Sequence, residues 1–318
     1  MSYEVLTMGR VGVDIYPLQT GVGLEDVETF GKFLGGSATN VAVAAARHGR
    51  RSAVITRTGA DPFGRYVHRA LTEFGVDDAF VTAVPELPTP VTFCEIFPPD
   101  DFPIWFYRYP KAPDLEIKPE EIPAAEVCDA RLFWATVTGL CAEPSRSAHH
   151  VAWEVRNRAP LTVLDLDYRP VFWASREAAR EQVQAALPHV TVAVGNLDEV
   201  DTAVGARDAR AAAEALLAAG VELAVVKQGP AGVYARTKDK EVEVPPIQVE
   251  VVNGIGAGDG FGGALCHGLL AGWPLERIIR FANAAGAIVT TKLECSSAMP
   301  TTEEVEDFMR RHDVTVRT

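Results

Sequence analysis

The feature that most constrains this chain is a regular alternation of two kinds of segment. Short runs rich in β-branched residues, apolar on both faces, lie at 3–8, 52–57, 132–137, 161–166, 190–194 and 223–227. Alanine-rich stretches with helical spacing fall between them, at 38–47, 176–186 and 208–219. A strand buried on both faces must be covered by helices above and below, which is the condition of a parallel sheet. The alternation therefore predicts a doubly wound α/β fold with a mostly parallel sheet. Right-handed crossovers would put ligands beyond the carboxyl ends of the strands. Two stretches break the rhythm. Residues 13–34 are irregular and glycine-containing, and residues 88–110 read as two strands, 91–97 and 104–109, with no helix beside them. Both are expected to form a small β excursion, either a lid or an edge hairpin without function, inserted in a single domain spanning 1–318.

Composition narrows the class of partner. Lys and Arg total 30 against 43 Asp and Glu, a net charge of −13 that repels phosphate backbones and anionic lipid, so neither nucleic acid nor membrane is an expected partner. A local basic pocket for a small anion remains open. Five cysteines with no C-x-x-C pair argue against a zinc site or a disulfide framework and for reduced thiols in the cytoplasm. The first residues, MSYEVLTMGR, lack the pattern of a signal peptide, and no apolar run approaches the length of a membrane span.

The strongest chemical signal is the run Asn253-Gly254-Ile255-Gly256-Ala257-Gly258-Asp259-Gly260-Phe261-Gly262-Gly263. A strand is expected before it, at 247–252, and a helix after it, at 261–270. A turn of small residues feeding a helix leaves amides unpaired and aimed one way, with the helix dipole behind them. That is a cradle for an anion, including the charge on a phosphoryl group in transfer. Asp259, within the turn, is expected to stay ionised beside the dipole and to accept a proton from an alcohol. The alternative is that Asp259 caps the helix and the glycines serve helix–sheet packing. Gly258-x-Gly260-x-x-Gly263 matches the dinucleotide fingerprint, but Asn283 stands where that motif needs an acid, and the segment stays helical. The G-x-x-x-x-G-K-[ST] phosphate loop is absent.

The turn Gly256-Ala257-Gly258-Asp259, with Gly35-Gly36-Ser37-Ala38-Thr39-Asn40 more than two hundred residues earlier, resembles the two signatures of the ribokinase-like (PfkB) carbohydrate kinases. Met8-Gly9, Asp14, Thr58-Gly59-Ala60-Asp61, Gly64 and Asn196-Leu197-Asp198-Glu199 extend the likeness along the chain. The resemblance implies a ribokinase-like α/β fold with a small β lid, ATP as co-substrate and Mg2+. It implies Asp259 as catalytic base, with Gly256, Ala257 and Gly258 as the anion hole. Asp14, Gly35, Gly36 and Asn40 would bind the sugar, and Glu199 would act on Mg2+ through water. Asn196, Lys227, Gly229, Gly232, Gly258 and Asn283 would line the nucleotide site, although Lys227 and Gly229 could simply end a strand and Asn283 could be a satisfied helix residue. Family members often pair through the lid, so a homo-oligomer is expected. One departure, Asn253-Gly254 in place of the family's Asp-Thr, leaves monovalent-cation dependence open.

Two further stretches bear on the substrate. Leu164-Asp165-Leu166-Asp167-Tyr168-Arg169-Pro170 with Trp173, and Ser296-Ser297-Ala298-Met299-Pro300-Thr301, resemble the inositol-catabolism member of the family, which phosphorylates the 6-hydroxyl of a sugar acid. Arg169 after a strand end and Arg108 on the expected lid are candidates for holding a carboxylate, which a guanidinium binds bidentately. The alternatives are that Arg108 caps a lid strand and that Arg169 pairs with Asp165 or Asp167. A 2-keto-3-deoxygluconate kinase, another sugar kinase of this family, and a catalytically silent nucleotide or sugar sensor are the competing functions.

Overall fold

The computed structural model describes residues 2–312. In chain order, β1 (Val5–Met8) is followed by β2 (Gly12–Pro17) and β3 (Phe30–Gly35), then α1 (Ser37–Arg47) and β4 (Ser52–Gly59). α2 (Pro62–Glu73), β5 (Val76–Asp77), β6 (Val81–Val84), β7 (Val91–Cys94) and β8 (Ile104–Tyr107) come next. The middle alternates: α3 (Ala124–Asp129), β9 (Leu132–Thr136), α4 (Ser145–Arg156), β10 (Thr162–Asp165), α5 (Arg176–Ala186), β11 (Val192–Asn196), α6 (Leu197–Val204), α7 (Ala209–Ala218) and β12 (Leu223–Lys227). β13 (Val233–Thr237), β14 (Glu241–Val244), α8 (Ala257–Leu270), α9 (Leu275–Thr290) and α10 (Thr302–Arg311) complete it.

The main sheet runs in the order β14-β13-β12-β11-β10-β9-β1-β4-β5, with β6 also paired to β4. It is parallel from β12 to β5, and β13 and β14 add an antiparallel edge. A second sheet, β3-β2-β7-β8, is built from the two stretches that broke the alternation. Residues 13–34 are thus less irregular than their composition suggests, because β2 and β3 pair antiparallel from Gly12 opposite Gly35 to Pro17 opposite Phe30.

Helices cover both faces of the main sheet, as double-sided apolar strands require. One layer buries Phe133, Trp153, Leu164, Val183 and Leu216. The other buries Trp134, Val163, Leu265, Ile279 and Phe281 under α8 and α9. Close approach depends on small side chains on α8. A Cβ at Gly262 would stand 2.8 Å from the Trp134 ring, and one at Gly263 would run into Ala44 of α1.

One expected element is absent. Residues 247–252 pair with no strand. Pro245 and Pro246 lack amide donors at the exit from β14, and Ile247 and Val249 pack against the second apolar layer. Their alternation reflects which side chains lie on that layer, not a ladder. The following amides, Val252 and Asn253, donate to the Thr290 carbonyl at the end of α9. No helix among the described residues is long and apolar enough to cross a membrane.

Replacing Gly263 with Val should overpack the α1–α8 contact and cost about 2–3 kcal/mol. A urea titration checks this, and an unchanged midpoint would mean that the two helices separate freely.

Candidate active site

The parallel strands all deliver polar residues to one end of the sheet. Asp165 ends β10 and is followed by Asp167 and Arg169. Asn196 ends β11 and Lys227 ends β12, while Arg10 follows β1 by two residues. These residues meet the inner side of the small sheet, represented by Asp14, Tyr16, Thr92, Ile104 and Phe106, around a cavity of about 680 Å3. The turn 254–259 closes the remaining wall.

α8 begins at Ala257, four residues earlier than the sequence suggests, so Asp259 lies in its first turn. Gly256 caps it with φ +86°, and a Cβ there would be 2.6 Å from Cys295 Sγ, so both backbone and space require glycine. The amides of Asp259 and Gly260 turn back to the Gly256 carbonyl. Those of Gly256, Ala257 and Gly258 have no partner among the described residues and point from the helix head. Lys227 Nζ lies 3.1 Å from where a Gly258 Cβ would be. The Asn253 side chain braces the turn from behind, donating to Leu293 O at 2.7 Å and accepting from the Ile255 amide at 3.0 Å.

Asp259 is half-buried and accepts a 2.8 Å hydrogen bond from Asn40 Nδ2. Asn40 Oδ1 in turn accepts from Ser296 Oγ at 2.6 Å. The surroundings of Asp259 raise it above an ordinary carboxylate, to a value that still leaves it mostly ionised at neutral pH. Burial pushes its pKa up to about 6, Asp167 adds to the rise, and the Asn40 hydrogen bond and the Arg10 and Arg169 charges oppose it. Burial likewise pushes Asp14 up to about 6, against the 2.9 Å bond it accepts from Tyr16. The Tyr16 hydroxyl also meets Cys295 Sγ at 3.0 Å.

A second centre of charge lies at Asp167. Burial opposes its ionisation, but Arg169 at 2.9 Å, Arg10 at 3.3 Å and a 2.7 Å bond from Ser37 Oγ hold its carboxyl well below the usual range. Asp165 has no such guard, and burial drives it well up, opposed by Lys227. Burial works against the Lys227 ammonium, yet Glu199 and Asp165 keep its pKa raised. Glu199 and Asn196 form a reciprocal cap on α6: Asn196 Oδ1 accepts from the Glu199 amide at 2.9 Å, and Glu199 Oε2 accepts from the Asn196 amide at 2.7 Å.

Of the residues proposed from sequence, Asp14, Gly36, Asn40, Arg169, Asn196, Glu199, Lys227, Gly229, Gly256, Ala257, Gly258 and Asp259 all line the cavity. Gly35, Arg108, Gly232 and Asn283 do not. Gly35 packs beneath the Asp14 carboxylate. Arg108 Nη2 donates to both oxygens of buried Asp114, at 2.7 and 2.9 Å, which draws the side chain away from the cavity. Gly232 turns the chain into β13, and Asn283 on α9 donates to Pro245 O at 3.0 Å. Sequence reasoning missed Arg10, Ser37, Tyr16 and Cys295. Arg10 and Ser37 adjoin quoted motifs, and their pairing with Asp167 across 157 and 130 residues leaves no local signal.

A doubly wound sheet with an anion cradle and a carboxylate at one helix head is the framework of a phosphotransferase that acts on an alcohol. Residues 3–302 match the family model described as pfkB family carbohydrate kinase, and the chain belongs to that family. It is 34% identical to a 5-dehydro-2-deoxygluconokinase of Photobacterium profundum, over 98% of this chain and 96% of that protein. It is 28% identical to one of Bacillus subtilis, over 97% and 96%. Among solved structures, it is similar to a putative ribokinase II from E. coli in complex with ATP and Mg2+, with TM-score 0.87 and 23% identity over 98% and 100% of the two chains. A fructokinase with bound ATP from Xylella fastidiosa superposes with TM-score 0.85 and 24% identity over 98% and 99%.

Replacing Asn40 with Ala removes the hydrogen bond that favours the charged form of Asp259. The Asp259 carboxyl should then titrate about one pH unit higher, measured by carbon NMR. No movement would mean that Asn40 does not hold that carboxylate.

Proposed function

We propose that this carbohydrate kinase transfers the γ-phosphoryl group of ATP to the 6-hydroxyl of 5-dehydro-2-deoxy-D-gluconate. The observation that carries the chemistry is the head of α8, where Asp259 and three unpartnered amides face one cavity. The relatives named 5-dehydro-2-deoxygluconokinase support the choice of acceptor. Asp259 accepts the hydroxyl proton as that oxygen attacks the γ-phosphorus and the bond to the ADP oxygen breaks. The amides of 256–258 and the Lys227 ammonium stabilise the charge on the moving group. Asp14, Gly36 and Asn40 orient the sugar, and Asn196 and Gly229 border the nucleotide.

Glu199 is the carboxylate that would face Mg2+, a hard cation that prefers oxygen ligands and keeps several of its waters. Glu199 Oε2 is occupied by the α6 cap and Oε1 lies 3.7 Å from Arg169, which suits contact with the ion through water. Bound with ATP, the ion would supply neutralisation of phosphate charge. Arg169 faces both Asp167 and Glu199, so it contributes positive charge between the two ends of the site.

The outer face of the small sheet supports a homodimer. Phe30, Trp105 and Tyr107 are 40%, 42% and 61% exposed; Phe93 makes ring contacts of 5.9 Å to Phe30 and 5.4 Å to Tyr107 and stands opposite Trp105 in the β7–β8 register. An aromatic surface of that continuity fits a self-complementary interface. The free thiols, Cys94, Cys266 and Cys295 being buried, suit the cytoplasm.

An ADP-release assay with ATP, Mg2+ and a panel of sugar acids and neutral sugars tests the activity. Turnover restricted to 2-keto-3-deoxygluconate would reassign the substrate, and none on any sugar would favour a silent sensor. Asp259→Asn should lower kcat at least about a hundredfold with little change in the KM for ATP. In the native enzyme, kcat/KM should fall as pH drops through about 6, because protonated Asp259 is too weak a base to take up the alcohol proton. Trp105→Glu with Tyr107→Glu should convert a dimer to a monomer in sedimentation runs, and a monomeric native protein would exclude the lid dimer.

A further inference from the structure

Arg10 is the cavity residue with the least explained chemistry. It follows β1 by two residues and is only 9% exposed. Its Nη2 donates to Ser37 Oγ at 3.2 Å and to Asp167 at 3.3 Å. Its Nε is buried with no partner among the described residues. The Phe106 ring, on the inner face of β8, lies 5.3 Å from the guanidinium carbon.

A buried guanidinium with an unused donor is costly unless something else satisfies it. Asp167 does not need it for neutralisation, since Arg169 pairs with the same carboxylate at the shorter distance of 2.9 Å. Arg169 is shared with Glu199 at 3.7 Å, whereas Arg10 pairs with Asp167 alone through Nη2. Ser37 and Phe106 fix the orientation of Arg10, so little side-chain entropy remains to be lost when a ligand binds. Of the other arginines, Arg108 lies outside the cavity, and Arg169, whose Nε is likewise buried without a partner among the described residues, is held between Asp167 and Glu199 at 2.9 and 3.7 Å.

We propose that Arg10 holds the carboxylate of the acceptor and thereby selects a sugar acid over a neutral sugar. This rests on the sugar-acid reading above and adds the residue that enforces it. Nη2 is held by Asp167 and Ser37, Nε is left to donate to one oxygen of the carboxylate, and Phe106 shields one face from water. Arg10 leaves the phosphoryl chemistry to Asp259 and the α8 amides.

The test compares kcat/KM for 5-dehydro-2-deoxygluconate with kcat/KM for fructose and ribose in the full chain. Arg10→Gln should lower the value for the acid at least about thirtyfold, the scale for truncating a buried, hydrogen-bonded charge pair. The acid-to-neutral ratio should fall at least about tenfold, while the KM for ATP stays within about twofold. Arg10→Lys keeps the charge without the fork and should recover only part of the ratio, and Arg108→Gln should leave it unchanged. If Arg10→Gln loses its cooperative melting transition, Arg10→Lys carries the test, with a ratio lowered at least about fivefold as the supporting result. A ratio unmoved by either Arg10 variant, or moved by Arg108→Gln instead, overturns the proposal while the sugar-acid reading stands. A native enzyme that turns over neutral sugars but no sugar acid overturns both.

Discussion

Asp167 is the carboxylate on which the rest of the site is organised. It is buried at the end of β10, yet it stays ionised because Arg10, Arg169 and Ser37 reach it from three separate segments. Each partner comes from a different part of the fold: the link between the two sheets, the strand end itself and the head of α1. These bonds therefore tie the β1–β2 link and the head of α1 to the segment that follows β10. Removing one partner of such a group leaves an uncompensated charge, which is among the most disruptive changes a buried site can suffer. The same low dielectric that makes Asp167 demanding also raises Asp14 and Asp259.

The site separates two tasks by environment. Carboxylates guarded by cations remain charged and act as scaffolding. Asp259, bonded to the neutral Asn40 amide and with Arg10 and Arg169 acting on it only from beyond ion-pair distance, lies near the point where a proton can be taken and released. The helix head supplies amides whose direction is set by the backbone, and Gly256 permits that turn only because nothing but hydrogen faces Cys295. Chemistry placed on a helix terminus is thus coupled to the packing behind it.

The legible parts of this chain were those with a local physical signature. Double-sided apolar strands announced a helix-covered parallel sheet, and Gly256-Ala257-Gly258-Asp259 announced a helix head open to an anion. The segment 247–252 misled because alternation reports burial on one side and says nothing about whether a neighbouring strand exists. Arg108 misled for a related reason. The expected strand 104–109 ends at Tyr107, so Arg108 lies just beyond β8, and the buried Asp114 six residues on that accepts from its Nη2 was not readable. Asn283 sits on the expected helix but faces Pro245 instead of the cavity.

By itself the sequence determined the layering of the fold, the position of the glycine-rich helix head and the carboxylate in its first turn, because each follows from periodicity or from backbone geometry within a dozen residues. Tertiary structure alone decided which charges meet. Arg10 and Asp167 lie 157 residues apart, and Asn40 and Asp259 lie 219 apart. Electrostatic pairing depends on distances of a few ångströms, and no local pattern encodes those until the strands have brought their carboxyl ends to one edge.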